Sequence, residues 1–526
     1  MKRRQAGSGG RSVQPVQVVW FKRDLRLHDH RPLVEATARG PVVCLYIYEP
    51  ELMRSAEFAE RHLTFINEAL KELDRRLASL GGRLITRFGE AVEILEEFAS
   101  QRRVACLWSH EETGNRITYD RDLRVQSWCD HRGIEWRQWR QDGVVRALRN
   151  RDGWSSRWNE FMSEEATPEP AAIDGVQGLK TAGWLDAPDV GIGTEELAER
   201  QPGGETAALD ALDSFLERRG VNYRSDMSSP VTGWSGCSRL SPYLAWGCVS
   251  GRVVYQAVRE RQADIRAARA VGSEFDSRWP SSLNSFQSRL RWRCHFMQKL
   301  EDEPELEFHN LCRSYDGLRE NEFSEERFEA WRAGMTGYPM VDACMRAVAA
   351  TGWLNFRMRA MVVSFASYHL WIHWRRTGVH LGRAFLDFEP GIHYSQIQMQ
   401  SGTTGINAVR IYSPAKQVRD QDPTGAFIRR WVPELEGTPD SHLPEPHLMS
   451  LDEQKRSGCI IGRDYPAPIV DHSEAYREAR RRIMSVRKKP ESKAAAQKVY
   501  VKHGSRKRGA RRKRAPRKDA GQMPLL

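Results

Sequence analysis

Paired cysteines, a glycine-rich phosphate loop and long apolar runs are all missing from this chain, and each gap excludes a class. The nine cysteines (Cys44, Cys106, Cys129, Cys237, Cys248, Cys294, Cys312, Cys344, Cys459) are odd in number, widely spaced and never arranged C-x-x-C. That argues against a disulfide scaffold, a zinc ribbon or a clustered iron–sulfur motif, and a reducing cytoplasm fits best. The longest charge-free apolar stretch of note, 361–374, is 14 residues and holds two histidines, too short and too polar for a membrane span. Those histidines, His369 and His373, are four apart, but Leu370 stands where a metalloprotease needs glutamate, so no metal site is expected. The N-terminus has the charges of a signal peptide with no apolar segment behind them. The first apolar run is followed by Lys22-Arg23-Asp24-Leu25-Arg26-Leu27, so the usual dinucleotide fingerprint is absent where it belongs.

What is present is a chain of 526 residues, longer than one hydrophobic core usually organises, with 40% hydrophobic and 9% aromatic residues. The net charge of +12 is local: 487–518 holds fifteen Lys/Arg against Glu491 alone, a local +14 that leaves −2 for the rest. A basic segment with so little to bury is expected to be disordered, as a nucleic-acid arm or as a solubilising or targeting tail.

Short apolar runs at 16–21, 42–48, 83–88, 104–109 and 134–139 alternate with helix-length segments such as 56–80, a βαβ pattern with a parallel sheet. Residues 146–205 are rich in Pro, Gly, Asp and Glu and read as a connection over the surface. Helical periodicity then dominates, with long runs at 207–219, 283–300 and 356–375. The division is an unstructured 1–15, an α/β domain at 16–145, a linker at 146–205, an all-helical domain at 206–486 and a basic tail at 487–526.

Four clusters can carry chemistry. Ser241-Pro242 reads as an N-capped helix start beside Ser238 and Arg239, either an ordinary cap or a phosphate seat. Arg289, Trp292 and Arg293 share a helical face that can stack a base and hold phosphates, or be a solvated basic face with a core tryptophan. The aromatics from Trp353 to Trp374 suggest packed core. Asp387, Glu389 and His393 sit in an irregular segment where buried polar groups need partners, and Arg357 and Arg359 are cations of the right type.

Taken in order, Trp20-Phe-Lys-Arg-Asp-Leu-Arg-Leu-His-Asp29, Ser238-Arg-Leu-Ser241, Trp292-Arg293, Thr336-Gly-Tyr-Pro-Met-Val-Asp-Ala343, Gly352-Trp353 with Arg357-x-Arg359, and Phe427-Ile-Arg-Arg-Trp-Val-Pro-Glu434 closely resemble the photolyase/cryptochrome flavoproteins over residues 16 to about 480. The resemblance implies a Rossmann-like α/β domain and an all-helical C-terminal domain that encloses FAD. It implies a light-driven deoxyribodipyrimidine photo-lyase, in which reduced flavin donates an electron to a flipped-out pyrimidine dimer, or else a cryptochrome-type photoreceptor. UV-damaged DNA is the implied partner of a monomer, with a second antenna chromophore of unidentified kind.

Carried over by position, the resemblance assigns Tyr223, Ser238, Leu240, Ser241, Arg293, Arg359, Asp387, Glu389 and His393 to the cofactor. Trp292, Arg289, Met399 and Phe356 become the lesion pocket. Arg289, Trp292, Arg357 and Gln417 become DNA contacts, and Trp374, Trp371, Trp353 and Tyr394 electron-transfer candidates. Several positions depart from the family: Arg289 replaces Glu or Gln, Phe356 an Asn, Met399 a stacking Trp, and His393 the Asn facing flavin N5. Ile397 and Asn321 replace the inner and outer members of the photoreducing tryptophan triad.

Overall fold

The computed structural model describes residues 14–195 and 199–505. Five strands, β1 (Val16–Phe21), β2 (Val42–Tyr48), β3 (Leu84–Phe88), β4 (Val104–His110) and β5 (Glu135–Trp139), form one parallel sheet in the order β3-β2-β1-β4-β5. Both faces are covered, which is why β1 and β2 are apolar without alternation and buried throughout. The flanking helices are α1 (Arg31–Thr37), α2 (Glu60–Ser79), α3 (Ala91–Gln101) and α4 (Arg116–Arg132).

The charged segment after β1 is buried and knotted. Asp24 accepts hydrogen bonds from its neighbour Lys22 N (2.7 Å), from His30 Nε2 (3.0 Å) and from His110 Nδ1 (2.8 Å), while His30 Nδ1 accepts from Leu33 N (3.2 Å). Both nitrogens of His30 are therefore committed, and the cluster pins the loop to the sheet. Burial by itself raises Asp24, yet the two imidazoles hold it well below its ordinary value.

The connection at 146–205 is not structureless. It carries α5 (Trp154–Ser163), whose Trp154, Trp158, Phe161 and Met162 are buried. Farther on its backbone joins the start of β2, Val42 N bonding Asp174 O and Val176 N bonding Val42 O, both loop-to-strand contacts. The Pro, Gly and acidic residues around α5 mask its apolar face in the composition.

The C-terminal part is helical: α6 (Glu205–Glu217), α7 (Ser241–Ala245), α8 (Gly251–Ala270), α9 (Trp279–Asp302), α10 (Pro339–Thr351), α11 (Phe356–Ser364), α12 (Trp374–Ala384), α13 (Pro390–Ser401), α14 (Pro414–Gln421), α15 (His472–Arg487) and α16 (Pro490–His503) are its main members. Three expectations need correction. The run at 356–375 is not one helix: α11 widens into a π turn at Phe365–His369 and stops at Trp371, whose φ is +57°. That left-handed conformation is costly for a tryptophan, and the guanidiniums of Arg319 and Arg482 stack on its ring at 4.5 and 4.8 Å. Secondly, Ser241 is the first residue of α7 and not its N-cap, which is Leu240 without a side-chain cap. Thirdly, 490–503 lies in the expected disordered tail but forms α16, because Val499 and His503 find burial and Lys502 and His503 pair with Glu303. The remainder of that tail, 506–526, lies outside the described residues, as do 1–13. Among the described residues no helix is long and apolar enough to cross a membrane.

The two parts are joined by polar groups from α2. Arg61 donates to the carbonyls of Val348 (3.2 Å), Ala349 (3.1 Å) and Ala384 (2.6 Å), and its Nε pairs with Glu195 at 2.9 Å. His62 Nε2 donates to the Phe385 carbonyl at 2.9 Å, and Arg23 to that of Phe388. These are terminal carbonyls of α10 and α12 and of the turn beyond, most of them without a partner within their own helices, although Val348 O also accepts from Gly352 N at 2.9 Å. Arg61→Met should therefore leave the buried Ala384 carbonyl without a partner, remove the bonds to Val348 and Ala349 and the pair with Glu195, and lower stability by about 1–3 kcal/mol. A thermal midpoint equal to wild type would show that these bonds do not join the two parts.

Candidate functional site

Between α7, α9, α11 and α13 lies a cavity of about 800 Å³, within the size of cofactor sites, roughly 300–1,000 Å³. The residues assigned to cofactor and lesion, Tyr223, Ser238, Leu240, Ser241, Arg289, Trp292, Arg293, Phe356, Arg359, Asp387, Glu389, His393 and Met399, all line it, as does Trp353. They come from six separate segments of the helical domain, and the sequence alone gives no sign that they share one wall.

Its central feature is the bidentate pair of Arg359 and Asp387, with Nη1–Oδ1 at 2.9 Å and Nη2–Oδ2 at 2.8 Å. Burial pushes the Asp387 carboxyl up, but Arg359, then a hydrogen bond from Ser241, hold it below its ordinary value. Glu389 stands two residues on. Burial is the largest influence there, partly countered by Arg23 and Arg293, and it lifts Glu389 to about 7. Arg293 Nη2 reaches Glu389 at 3.4 Å while Nη1 binds Asp142 at 2.5 Å, so this guanidinium spans both domains. Neither Arg23 nor Asp142 was singled out in the sequence, since each acts across the domain boundary.

His393 is buried and lowered to about 4 by desolvation, so it is neutral. Its Nε2 lies 2.7 Å from the Gly378 carbonyl, an acceptor, which fixes the proton on Nε2 and leaves Nδ1 as a lone pair. Arg239, at φ +61°, stacks between Trp234 (3.9 Å) and Trp353 (4.2 Å), so its left-handed backbone is held by two rings. Arg289 makes no pair with an acid among the described residues. Its Nη2 rests on Met227 Sδ at 3.7 Å and its guanidinium lies 5.0 Å from the Phe356 ring centroid.

This lining fits an FAD: large, mostly apolar, with cations for a diphosphate and hydroxyls at Ser238 and Ser241. Asn355 Oδ1 is buried at the same wall with no partner among the described residues, as expected of an acceptor awaiting a ligand.

Other assigned residues lie elsewhere. Arg357 points to Ser228 Oγ at 3.2 Å and Gln417 is buried on α14; neither lines the cavity. Successive residues on α11 face different ways, so Arg359 turns inward where Arg357 does not. The electron-transfer candidates do not form one chain. Trp374 and Tyr394 are neighbours, ring centroids 6.1 Å apart, whereas Trp353 packs edge-on against Trp234 and Trp371 sits between Arg319 and Arg482. The carboxyl ends of the strands, where open α/β sheets usually hold ligands, are filled by buried ion pairs: Lys22–Asp122 at 3.3 Å, and Arg121 with Glu49, Glu112 and Asp122 at 2.6–2.8 Å.

The chain is similar in sequence and fold to known proteins. Residues 17–152 match the family model of DNA photolyase, and residues 286–485 that of the FAD binding domain of DNA photolyase. A deoxyribodipyrimidine photo-lyase of Streptomyces griseus is 30% identical over 487 residues, 88% of this chain and 97% of its own. A cryptochrome DASH of Gloeobacter violaceus is 28% identical over 484 residues, 86% of this chain and 93% of its own. The crystal structure of a bacterial class III photolyase from Agrobacterium tumefaciens superposes with a TM-score of 0.79 at 26% identity, covering 92% of this chain and 100% of that one. With its cavity, its two-part fold and these matches along most of its length, the chain belongs to the photolyase/cryptochrome family of FAD-binding flavoproteins.

Proposed function

We propose that the protein is a light-driven DNA repair flavoenzyme that splits UV-induced pyrimidine dimers. The observation that carries this reading is the single cavity in which the Arg359–Asp387 pair and the apolar wall of Trp292, Phe356 and Met399 meet. Bound there, FAD in its reduced form would supply a light-excited electron to the lesion and recover it after the cyclobutane ring opens.

The chain's own residues do the rest. Arg359, oriented by Asp387, keeps a fixed positive charge at the wall, which favours an anionic ring beside it. Asp387, held ionised, stops that guanidinium from swinging away. His393 presents a lone pair and no charge, and Glu389, near neutrality in its titration, is the one carboxyl at this wall able to give or take a proton around pH 7. Trp292 offers a ring face to an unstacked base, with Met399 and Phe356 excluding water. Arg289 places a cation where family members present a neutral or acidic hydrogen-bonding group. That substitution supports the second reading, a cryptochrome-type photoreceptor, because a cation wedged on Phe356 does not offer the acceptor that pyrimidine imides would use. The ion pairs filling the strand ends lend no support to a second chromophore at that crevice.

Three outcomes test this. The purified protein should be yellow with about one FAD per chain, and Asp387→Asn should keep the fold but disfavour the anionic reduced flavin, read from the reduced-state absorption spectrum; a chain that takes up no FAD would end the flavoprotein reading here. Trp292→Ala should weaken binding to dimer-containing DNA by about 1–3 kcal/mol while leaving undamaged DNA nearly unaffected. Truncation after Ser505 removes nine Lys/Arg and one Asp, and it should weaken DNA binding irrespective of damage and flatten its salt dependence. If illuminated full-length protein neither prefers nor repairs dimer-containing DNA, single- or double-stranded, the photoreceptor reading replaces repair.

A further inference from the structure

One end of the cavity is built by residues outside the matched flavin-binding region. Helix α16 (Pro490–His503) begins after residue 485, where that match stops, and its Tyr500 and His503, with Gly504 and Ser505, line the cavity. Lys502 Nζ and His503 Nε2 both hold Glu303 Oε2 at 2.7 Å, which ties the C-terminal end of α16 to the residue just past α9.

Facing α16 from α9 are His295 and Lys299, one helical turn apart and on the same face as Trp292. Lys299 is only 4% exposed, yet its ammonium has no carboxylate within ion-pair distance among the described residues; it lies over the Phe296 ring, 5.0 Å from the centroid. A buried amine without an anion is costly. His295 sits edge-on to Trp292, ring centroids 5.0 Å apart, with neither ring nitrogen bonded among the described residues. His503 Nδ1 is buried and likewise without a partner there. The nearby acids are already spent, Asp302 on Arg151 (2.8 Å) and Glu303 on Lys502 and His503. Among the described residues the end of the cavity is thus short of one negative charge, with the His295 nitrogens and His503 Nδ1 around it. Burial, then the charge of Arg151, bring Lys299 down to about 7, the state of an ammonium that lacks its counter-ion.

We propose that this end is a binding subsite for a phosphate group, held by Lys299 with His295 and His503, on a nucleotide whose base stacks on Trp292. The spacing suits it: Trp292 and Lys299 are two helical turns apart, about 10 Å along the axis, the length of a nucleotide from base to phosphate. The inference rests on reading Trp292 as a base platform. The phosphate can be the monoester of a free nucleotide or the diester of a strand.

Calorimetry on the FAD-loaded full chain separates these. The probes are thymidine, thymidine 5′-monophosphate, a thymidine trinucleotide without terminal phosphates, and inorganic phosphate. At least one phosphate-bearing nucleotide should bind about tenfold or more tighter than thymidine. An advantage for the monophosphate alone assigns a monoester, and one for the trinucleotide a backbone diester. Lys299→Met, close in volume and apolar, should abolish the advantage and the binding of inorganic phosphate, with flavin content and melting midpoint as in wild type. Equal affinities for thymidine and both phosphate-bearing probes in the wild type, or an advantage that survives Lys299→Met, would overturn the subsite. Inorganic phosphate that binds through Lys299 while thymidine does not would sustain the anion site and remove the Trp292 platform instead.

Discussion

The whole site hangs on how the end of α12 is finished. A helix leaves its last carbonyls without partners, and here those of Ala384, Phe385 and Phe388 are taken by Arg61, His62 and Arg23 from the α/β domain, while Trp246 Nε1 takes that of Leu386 at 2.9 Å. Four consecutive tethers of this kind fix the path of 384–388, and with it the direction of Asp387. The α/β domain therefore shapes the flavin cavity without contributing a glycine loop to it. His62 can play this part only as a neutral ring, and burial lowers it to about 3, with Nδ1 accepting from Ala59 N and Nε2 donating to Phe385.

Electrostatically the cavity grades from one end to the other. Around Asp387 and Glu389 every carboxylate has a guanidinium, and one of those, Arg293, is shared with Asp142 of the other domain. Along α9 toward α16 the balance shifts: Arg289 rests on sulfur and an aromatic ring, and Lys299 rests on Phe296. Cations packed on apolar groups keep their charge available to a ligand more fully than cations already in ion pairs. An anionic cofactor at one end and an anionic substrate group at the other are both in keeping with this gradient.

The aromatic candidates for electron transfer are grouped by packing more than by sequence proximity. Tyr394 hydrogen-bonds to Glu57 of the α/β domain and touches Trp374, whose Nε1 donates to Asn310 at 2.7 Å. Tyr394 also packs edge-on against His393 on α13, ring centroids 5.3 Å apart. Trp371, close in sequence, is turned away by its left-handed backbone into a stack of two arginines.

Much was legible in the residue order. The alternation of short β-branched runs with helical segments gave five strands to within a residue or two, because strand burial on both faces leaves a local imprint. The motifs from Trp20 to Glu434 identified the family, and the residues they assign to cofactor and lesion do converge on one cavity. Local periodicity could not show that Arg357 turns from the cavity while Arg359 enters it, or that the 356–375 run breaks at Trp371. Nor could composition show that 490–503 would fold: its basic residues suit a solvated tail, and only a partner surface with Glu303 and room for Val499 and His503 makes a helix there worthwhile. The sequence by itself determined the five strands, the two-part division and the family, since these depend on local pattern and motif. Tertiary structure alone decided which charges are paired, which cations have no acid partner among the described residues and which helix closes the cavity, because those depend on groups from separate segments, 28 residues apart for Arg359 and Asp387 and 151 for Arg293 and Asp142.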